Sequence, residues 1–421
     1  MKKISIIGLG YVGLPLALEF CKYFKVTGFD QNKKRIKDLN KGIDITNESS
    51  PTILKKCLKK NLLVTSNHTN INNSDYFIIT VPTPIHKNKK PNLKYIKLAT
   101  NLVSKKLKKD GFIIYESTVY PGLIEEICLP IILKNTKLKL NYDFYIGYSP
   151  ERINPGDKKH NLTSIVKIVS ASSKKGLDII DNLYKKIIKA GTFRAQSIKI
   201  AEAAKVIENT QRDINIGFVN ELSTIFNKMN INIFDVLDAA KTKWNFLDFV
   251  PGLVGGHCIG VDPYYLTYKA KKLGINPKII LSGRKLNDSM SINIANKINS
   301  NLKIFKHQNG KPRLLVMGLS FKENCPDIRN SKIFDIIDFF LKKKIYVDLY
   351  DNNIDKKLLN KRYRSLLVNH LKENNYEIII IAVAHNEFKK MGARKIKKLG
   401  KNVSKIYDLK NIFKNKLFIK F

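Results

Sequence analysis

The sequence has few of the residues that build a metal centre or a disulfide framework. Five cysteines (Cys21, Cys57, Cys128, Cys258 and Cys325) are scattered over 421 residues with no C-x-x-C spacing, and the seven histidines form no H-x-x-x-H pair. An odd number at irregular spacing argues for reduced thiols, and a metal site has no support. No stretch approaches the roughly 20 uninterrupted apolar residues that span a bilayer. The opening MKKISIIGLG places a lysine pair before an apolar run. That run breaks at Gly8 and Gly10, so it reads as a first strand rather than a secretory leader. The expected compartment is the cytoplasm.

Arginine is also scarce: ten against 66 lysines, with 35 acidic residues and a formal charge of +41. Proteins that bind nucleic acid gather Arg and Lys into one patch or tail. Here the lysines run along the whole chain beside many Asn and Ile, the residues that A- and T-rich codons favour. They read as solvated surface with a general attraction for anions, nucleotide phosphates included. Neither nucleic acid nor membrane is expected as a partner. An apolar content of 43% is that of a soluble globular protein. The length implies two or three domains.

Strand and helix patterns alternate over the first 150 residues. ISIIGLG (4–10), VTGFD (26–30), YFIITVP (76–82), FIIYEST (112–118) and DFYIGYS (143–149) read as strands of a parallel sheet covered on both faces. From about Ser197 more than thirty residues run with apolar positions three and four apart, a long helix. Beyond KHQNGKP (306–312), the runs RLLVMGLSF, KIYVDLYD, YEIIIIAVA and KIYDLKN restore the alternation. The expected fold is α/β, with two Rossmann-like doubly wound domains joined by a long central helix. The expected divisions are 1–196 for nucleotide binding, 197–305 for a helical, dimerising segment, and 306–421 for a second α/β domain.

GLGYVG (8–13) sets Gly8, Gly10 and Gly13 in G-x-G-x-x-G spacing after a strand, with Tyr11 and Val12 inside the turn. Such a turn lets a pyrophosphate approach the backbone at the start of a helix. Asp30 ends the next strand, where an acid accepts hydrogen bonds from an adenosine ribose and disfavours a 2′-phosphate; NAD is therefore the expected cofactor. Arg35, one turn on, is placed to cover the adenine or a phosphate, which leaves a small opening for NADP. Thr83 in VPTP and Thr118 in STVYPG stand at strand C-termini, where open α/β sheets bind ligands.

On the long helix Lys205, Asn209 and Arg212 fall at i, i+4 and i+7, one stripe of donors suited to an oxyanion or sugar phosphate. YSPERINPG puts Glu151 and Arg152 on a stiff loop after a strand, where a carboxylate can serve as a base or hold a water. Residues 252–262, GLVGGHCIGVD, crowd four glycines around Cys258. A backbone so bare is expected where a ligand lies against it.

GLGYVGLP, VPTP, STVYPG, the AEAAKVIEN helix, GGHCIGVDP and SFKENCPDIRNS resemble, in order and over nearly the whole chain, the UDP-glucose/GDP-mannose dehydrogenase family. The resemblance implies an NAD-binding domain, a dimerising central helix and a C-terminal nucleotide-binding domain. It also implies oxidation of a nucleotide sugar from alcohol to acid with two NAD+. Carried over, it makes Cys258 the nucleophile and sets Lys205, Asn209 and Asp262 around the sugar C6. Thr118 and Glu151 would handle water and protons, Lys322 would reach the substrate, and Arg329 would reach the cofactor. Phe249, Gly252 and His257 belong to the loop over the sugar nucleotide. Val261 stands where the UDP-glucose members carry Lys. YSPERINPGDKKH, ENTQRD and KWNFL resemble the UDP-N-acetylhexosamine branch instead, with Arg152, Ile153 and Arg212 reading the acetamido side. UDP-N-acetylglucosamine is the expected substrate and UDP-N-acetylgalactosamine or UDP-glucose the alternatives. Lys241, Lys243 and Val250 occupy the neighbourhood where the family often supplies an Arg to its partner subunit, and a Lys lacks that bidentate fork.

A two-electron hydroxyacid dehydrogenase would share the first domain but has no use for the second or for a cysteine in a glycine loop. An epimerase would need a Tyr-x-x-x-Lys pair at a strand end, and the one match, Tyr268 with Lys272, is far from any.

Overall fold

The computed structural model describes residues 2–46, 48–153, 161–256, 258–302, 312–413 and 418–420. His257 lies outside them, as does most of the KHQNGKP boundary. The chain divides into two compact units, Met1–Glu208 with Tyr264–Ile275, and Asn209–Pro263 with Asn276–Phe421. Residues 197–208 and 264–275 fall in the first unit, and 209–263 and 276–305 in the second. The long helix Ile198–Lys228 runs from the first unit into the second.

The first unit is built on eight strands: β1 (Lys3–Ile7), β2 (Lys25–Phe29), β3 (Leu62–Thr65), β4 (Tyr76–Ile79), β5 (Gly111–Tyr115), β6 (Phe144–Tyr148), β7 (Lys167–Ala171) and β8 (Thr192–Arg194). Their order is β3-β2-β1-β4-β5-β6-β7-β8, parallel through β6, with β7 antiparallel to β6. β4, β5 and β6 are buried at every position. That is why they read as unbroken apolar runs rather than alternating ones. The first six strands have the doubly wound dinucleotide-binding order, and the chain reverses direction across the sheet between β1 and β4.

The second unit carries a parallel four-stranded sheet in the order β10-β9-β11-β12, from β9 (Arg313–Met317), β10 (Tyr346–Tyr350), β11 (Tyr376–Ile381) and β12 (Gly400–Asp408). The helices Lys278–Leu302 and Ile333–Lys342 bury Met290, Ile294, Ile298, Ile337 and Phe340 in one core with Leu314, Val316, Ile378 and Ile380 of the sheet. Among the described residues no helix is long and apolar enough to cross a membrane.

The two sheets repeat one local device. Gly8 (φ +100°) donates its N–H to Phe29 O at 2.8 Å, and Gly318 (φ +92°) to Tyr350 O at 2.9 Å. Leu9 N then donates to Asp30 Oδ2 at 2.9 Å, and Leu319 N to Asp351 Oδ2 at 2.7 Å. Each aspartate closes the turn by accepting a second N–H two residues on, from Asn32 and from Asn353.

Candidate functional site

In the first unit the glycine turn leaves β1 at the switch between β1 and β4. A Cβ on Gly13 would fall 1.9 Å from Gly8 O and 2.5 Å from Thr80 Oγ1, so the helix Gly13–Phe20 packs on the turn only because that side chain is missing. A Cβ on Gly10 would meet nothing within 4 Å, the open space a pyrophosphate requires. Tyr11 and Val12 are half-buried between them.

Arg35 differs from expectation. It is buried, donates Nε to Leu9 O at 2.9 Å, and sets Nη1 2.8 Å from Asp44 Oδ1. Burial works against the charge on Asp44, but the Thr46 hydroxyl and the Arg35 guanidinium outweigh it and hold the carboxyl below its usual value. Arg35 thus braces the turn from within. Its buried Nη2 has no hydrogen-bond partner among the described residues. The open face at Gly10 and the acid at Asp30 fit a dinucleotide.

At the carboxyl ends of β4 and β5, Thr83 and Thr118 are half-buried, and Tyr265 Oη donates to Thr83 O at 2.9 Å. After β6, Glu151 Oε1 accepts the backbone N–H groups of Arg152 (2.7 Å) and Ile153 (2.8 Å). Its Oε2 lies 2.8 Å from Lys167 Nζ, which lies equally close to Glu116 Oε2. Tyr184 Oη also donates to Glu116. Burial works against the Lys167 ammonium, but the two carboxylates overcome it and hold its pKa up; burial likewise pushes the Glu116 carboxyl up, against the pull of Lys167. The sequence reading missed Lys167 and Glu116, since a lysine opening a strand looks like surface. Arg152 pairs with Glu208 at 2.7 Å, and Ile153 packs on the main core.

Along the long helix Lys205 and Asn209 are buried and Arg212 is exposed. The buried stripe continues instead to Asp213 and Asn220. A 3.6-residue period makes i+7 and i+8 near neighbours on a helix face, and the core took i+8 after Lys205.

In the second unit Asn209 Nδ2 donates to Asp262 Oδ2 at 2.6 Å. Asp262 opens the helix Asp262–Lys272, and its N–H donates to Cys258 O at 2.8 Å. Cys258 is half-buried, whereas the other four cysteines are buried. The loop ahead of it is tied down by Asn220, which is 2% exposed. Its carboxamide accepts Gly252 N–H (2.8 Å) and donates to Gly252 O (3.1 Å). Asn287 orients that amide at 2.8 Å and itself donates to Asp213 Oδ1 at 2.7 Å. Arg284 completes the buried set, 2.5 Å from Asp213.

The glycines there are bare for a reason the sequence did not disclose. A Cβ on Gly255 would stand 2.8 Å from Asn330 O, and one on Gly256 2.8 Å from Phe321 Cδ2. The SFKEN and RNS segments fill that space. Beside them is a recess lined by Leu253, Ser320, Lys322, Glu323, Lys332 and Lys410. Burial lowers the Lys410 ammonium, partly offset by Glu323. The three lysines outnumber the one carboxylate there, a balance that suits an anionic ligand. Phe249 packs against a small apolar cluster of Val219, Phe234 and Leu237, and Arg329 is held by Asp327 at 2.7 Å.

The chain matches three models of the UDP-glucose/GDP-mannose dehydrogenase family: the NAD binding domain over residues 2–188, the central domain over 199–289 and the UDP binding domain over 315–415. It is 50% identical over 411 residues to a UDP-N-acetyl-D-glucosamine 6-dehydrogenase of Salmonella typhi, covering 97% of this chain and 96% of the relative. It is 51% identical to the enzyme of that name from Pseudomonas aeruginosa, with the same coverage. A solved UDP-D-ManNAc dehydrogenase of Pyrococcus horikoshii superposes with a TM-score of 0.88 at 29% identity, over 99% of this chain and 98% of the other. With a dinucleotide turn that fits NAD, a half-buried cysteine beside Asn209 and Asp262, and all three domain models matched in order, the chain belongs to the UDP-glucose/GDP-mannose dehydrogenase family and is an NAD-dependent nucleotide-sugar dehydrogenase.

Proposed function

We propose that the protein oxidises UDP-N-acetylglucosamine at C6 to the uronic acid, using Cys258 as nucleophile, in a cytoplasmic pathway of polysaccharide synthesis. The observation that carries this reading is the Asn209–Asp262 hydrogen bond at 2.6 Å beside the one cysteine that is not buried. The names of the two relatives at 50% and 51% identity support the substrate. Bound NAD+ supplies the hydride acceptor, once for each of two oxidations.

The Cys258 thiolate adds to the C6 aldehyde, so the half-oxidised sugar stays attached to the protein as a thiohemiacetal. Loss of the second hydride from that carbon leaves a thioester. Water cleaves it, returning the thiol and releasing the acid. Lys205 and Asn209 stabilise the oxyanion as N–H donors. Asp262, fixed by Asn209, takes the proton through a water, and Thr118 and Glu151 serve the hydrolysis. Lys322, on the recess it shares with Lys332 and Lys410, reaches the nucleotide sugar. Phe249, Gly252 and His257 contribute to the sugar-nucleotide loop, Arg152, Ile153 and Arg212 to the acetamido side, and Arg329 to the cofactor.

The long helix also favours a homodimer. Ile200, Ile207, Phe218 and Ile225 are exposed, and at about 100° per residue they fall on one stripe.

The test is NADH release with UDP-N-acetylglucosamine, UDP-N-acetylgalactosamine, UDP-glucose and GDP-mannose in turn. The proposal requires the highest kcat/KM for the first. A preference for UDP-N-acetylgalactosamine would move the specificity and keep the chemistry.

A further inference from the structure

The turn device shared by the two units diverges at one point. Asp351, the counterpart of Asp30, faces a fully buried histidine. His385 Nε2 lies 3.3 Å from Asp351 Oδ2 and 3.3 Å from Ser320 Oγ. Its Nδ1 accepts the backbone N–H of Asn324 at 2.9 Å. A ring nitrogen that accepts from a backbone N–H carries no proton, so Nε2 carries the hydrogen and donates; the tautomer follows from the network. Ser320 Oγ donates to Lys322 O at 2.7 Å, and Asn324 Oδ1 accepts Asn386 N–H at 3.0 Å. The segment from Ser320 to Asn324 is therefore tied at both ends to His385 and Asn386, beyond β11, and His385 in turn meets Asp351 at the end of β10. Two of its side chains have destinations: Lys322 lines the recess, and Phe321 lies against Gly255 and Gly256 of the cysteine loop.

A leucine would fill the same volume without needing partners. What the imidazole adds is direction, since it reads one acceptor and one donor at fixed angles. We propose that His385 is a positioning residue for the nucleotide sugar, holding Ser320–Asn324 so that Lys322 faces the recess and Phe321 supports the loop that carries Cys258. The Gly–Asp turn of the second unit, which in the first unit fits a dinucleotide, here anchors a substrate loop. The proposal rests on the reading that Lys322 and the cysteine loop serve the nucleotide sugar.

The test compares steady-state kinetics of full-length His385→Leu, His385→Asn, Ser320→Ala and Lys322→Met. Asparagine keeps an acceptor near the place of Nδ1; leucine keeps none. His385→Leu is expected to raise KM for UDP-N-acetylglucosamine by about ten-fold or more, the worth of a lost buried hydrogen bond, with KM for NAD+ unchanged. His385→Asn should recover most of that loss. Ser320→Ala, the smallest change and the decisive variant if His385→Leu does not fold, should raise the same KM by about three-fold or more. A raised KM in Lys322→Met with unchanged values in Ser320→Ala and in any folded His385 variant would overturn the role of His385 alone. An unchanged KM in Lys322→Met would overturn the reading beneath it. Equal losses in His385→Asn and His385→Leu, with KM for NAD+ rising in step, would reduce His385 to a packing residue.

Discussion

The Phe321 ring occupies the place that a side chain on Gly256 would take, 2.8 Å from an added Cβ. The cysteine loop and the SFKEN loop are thus shaped to each other. Gly256 also has φ +78°, a conformation that L side chains rarely adopt. Gly256→Ala should cost roughly 1–3 kcal/mol and lower kcat. Phe321→Ala in the same chain should relieve the clash but not the backbone strain. Urea unfolding of the two single variants and the double variant checks this, with a less-than-additive loss expected.

The two-point hydrogen bond from Asn220 to the Gly252 peptide gives a second prediction. Asn220→Ala leaves Gly252 N–H and C=O, and Asn287, without their partner in a buried site. Each unsatisfied group costs about 1–3 kcal/mol, so with three such groups a loss of at least roughly 3 kcal/mol is expected. Denaturant unfolding measures it. Because the loop leads to Cys258, kcat should fall while KM for NAD+ holds.

The Arg35–Asp44 pair predicts an effect on one substrate only. Asp44→Ala removes the carboxylate that holds Arg35 against Leu9 O and so loosens the glycine turn. KM for NAD+ should rise about three- to ten-fold, the worth of roughly one hydrogen bond, and KM for the nucleotide sugar should not move. Equal changes in both would show that the pair serves general stability.

Much of the fold was legible because parallel strands buried on both faces are continuous apolar words. FIIY and EIIII could hardly be anything else, and the helix from Ser197 declared itself by period. β3, β7 and β8 were not read. β8 is three residues, TFR, with little apolar content, and β7 opens on Lys167, whose burial depends on Glu116 and Glu151 from distant parts of the chain. The same kind of non-local pairing hid Asp213 and Asn220, whose partners Arg284, Asn287 and Gly252 lie 32 to 74 residues on. The four glycines of GLVGGHCIGVD suggest room for a ligand. At Gly255 and Gly256 the room is taken by the chain itself.

Glu202 carries a pH dependence whose sign is unambiguous. It is fully buried on the long helix and accepts N–H groups from Gly122 and from Ile124, the latter at 3.0 Å. Burial pushes its carboxyl up from 4.5 to about 8 despite those donors. The folded protein then binds a proton that the unfolded chain has released, so this group makes stability fall as pH rises from about 4.5 to about 8. Glu202→Gln, which resembles the protonated form, should flatten that slope. Melting temperatures of both proteins between pH 5 and about 8.5 check it; parallel slopes would contradict the assignment.

The most direct test of the central claim is the NADH yield per molecule of UDP-N-acetylglucosamine consumed, measured with the sugar limiting, for the wild-type protein and for Cys258→Ala. Two NADH per sugar are expected from the wild type, with the uronic acid as product, and no acid from the variant although it still binds NAD+. One NADH per sugar from the wild type, or acid formation by Cys258→Ala at the wild-type rate, would contradict the covalent four-electron account.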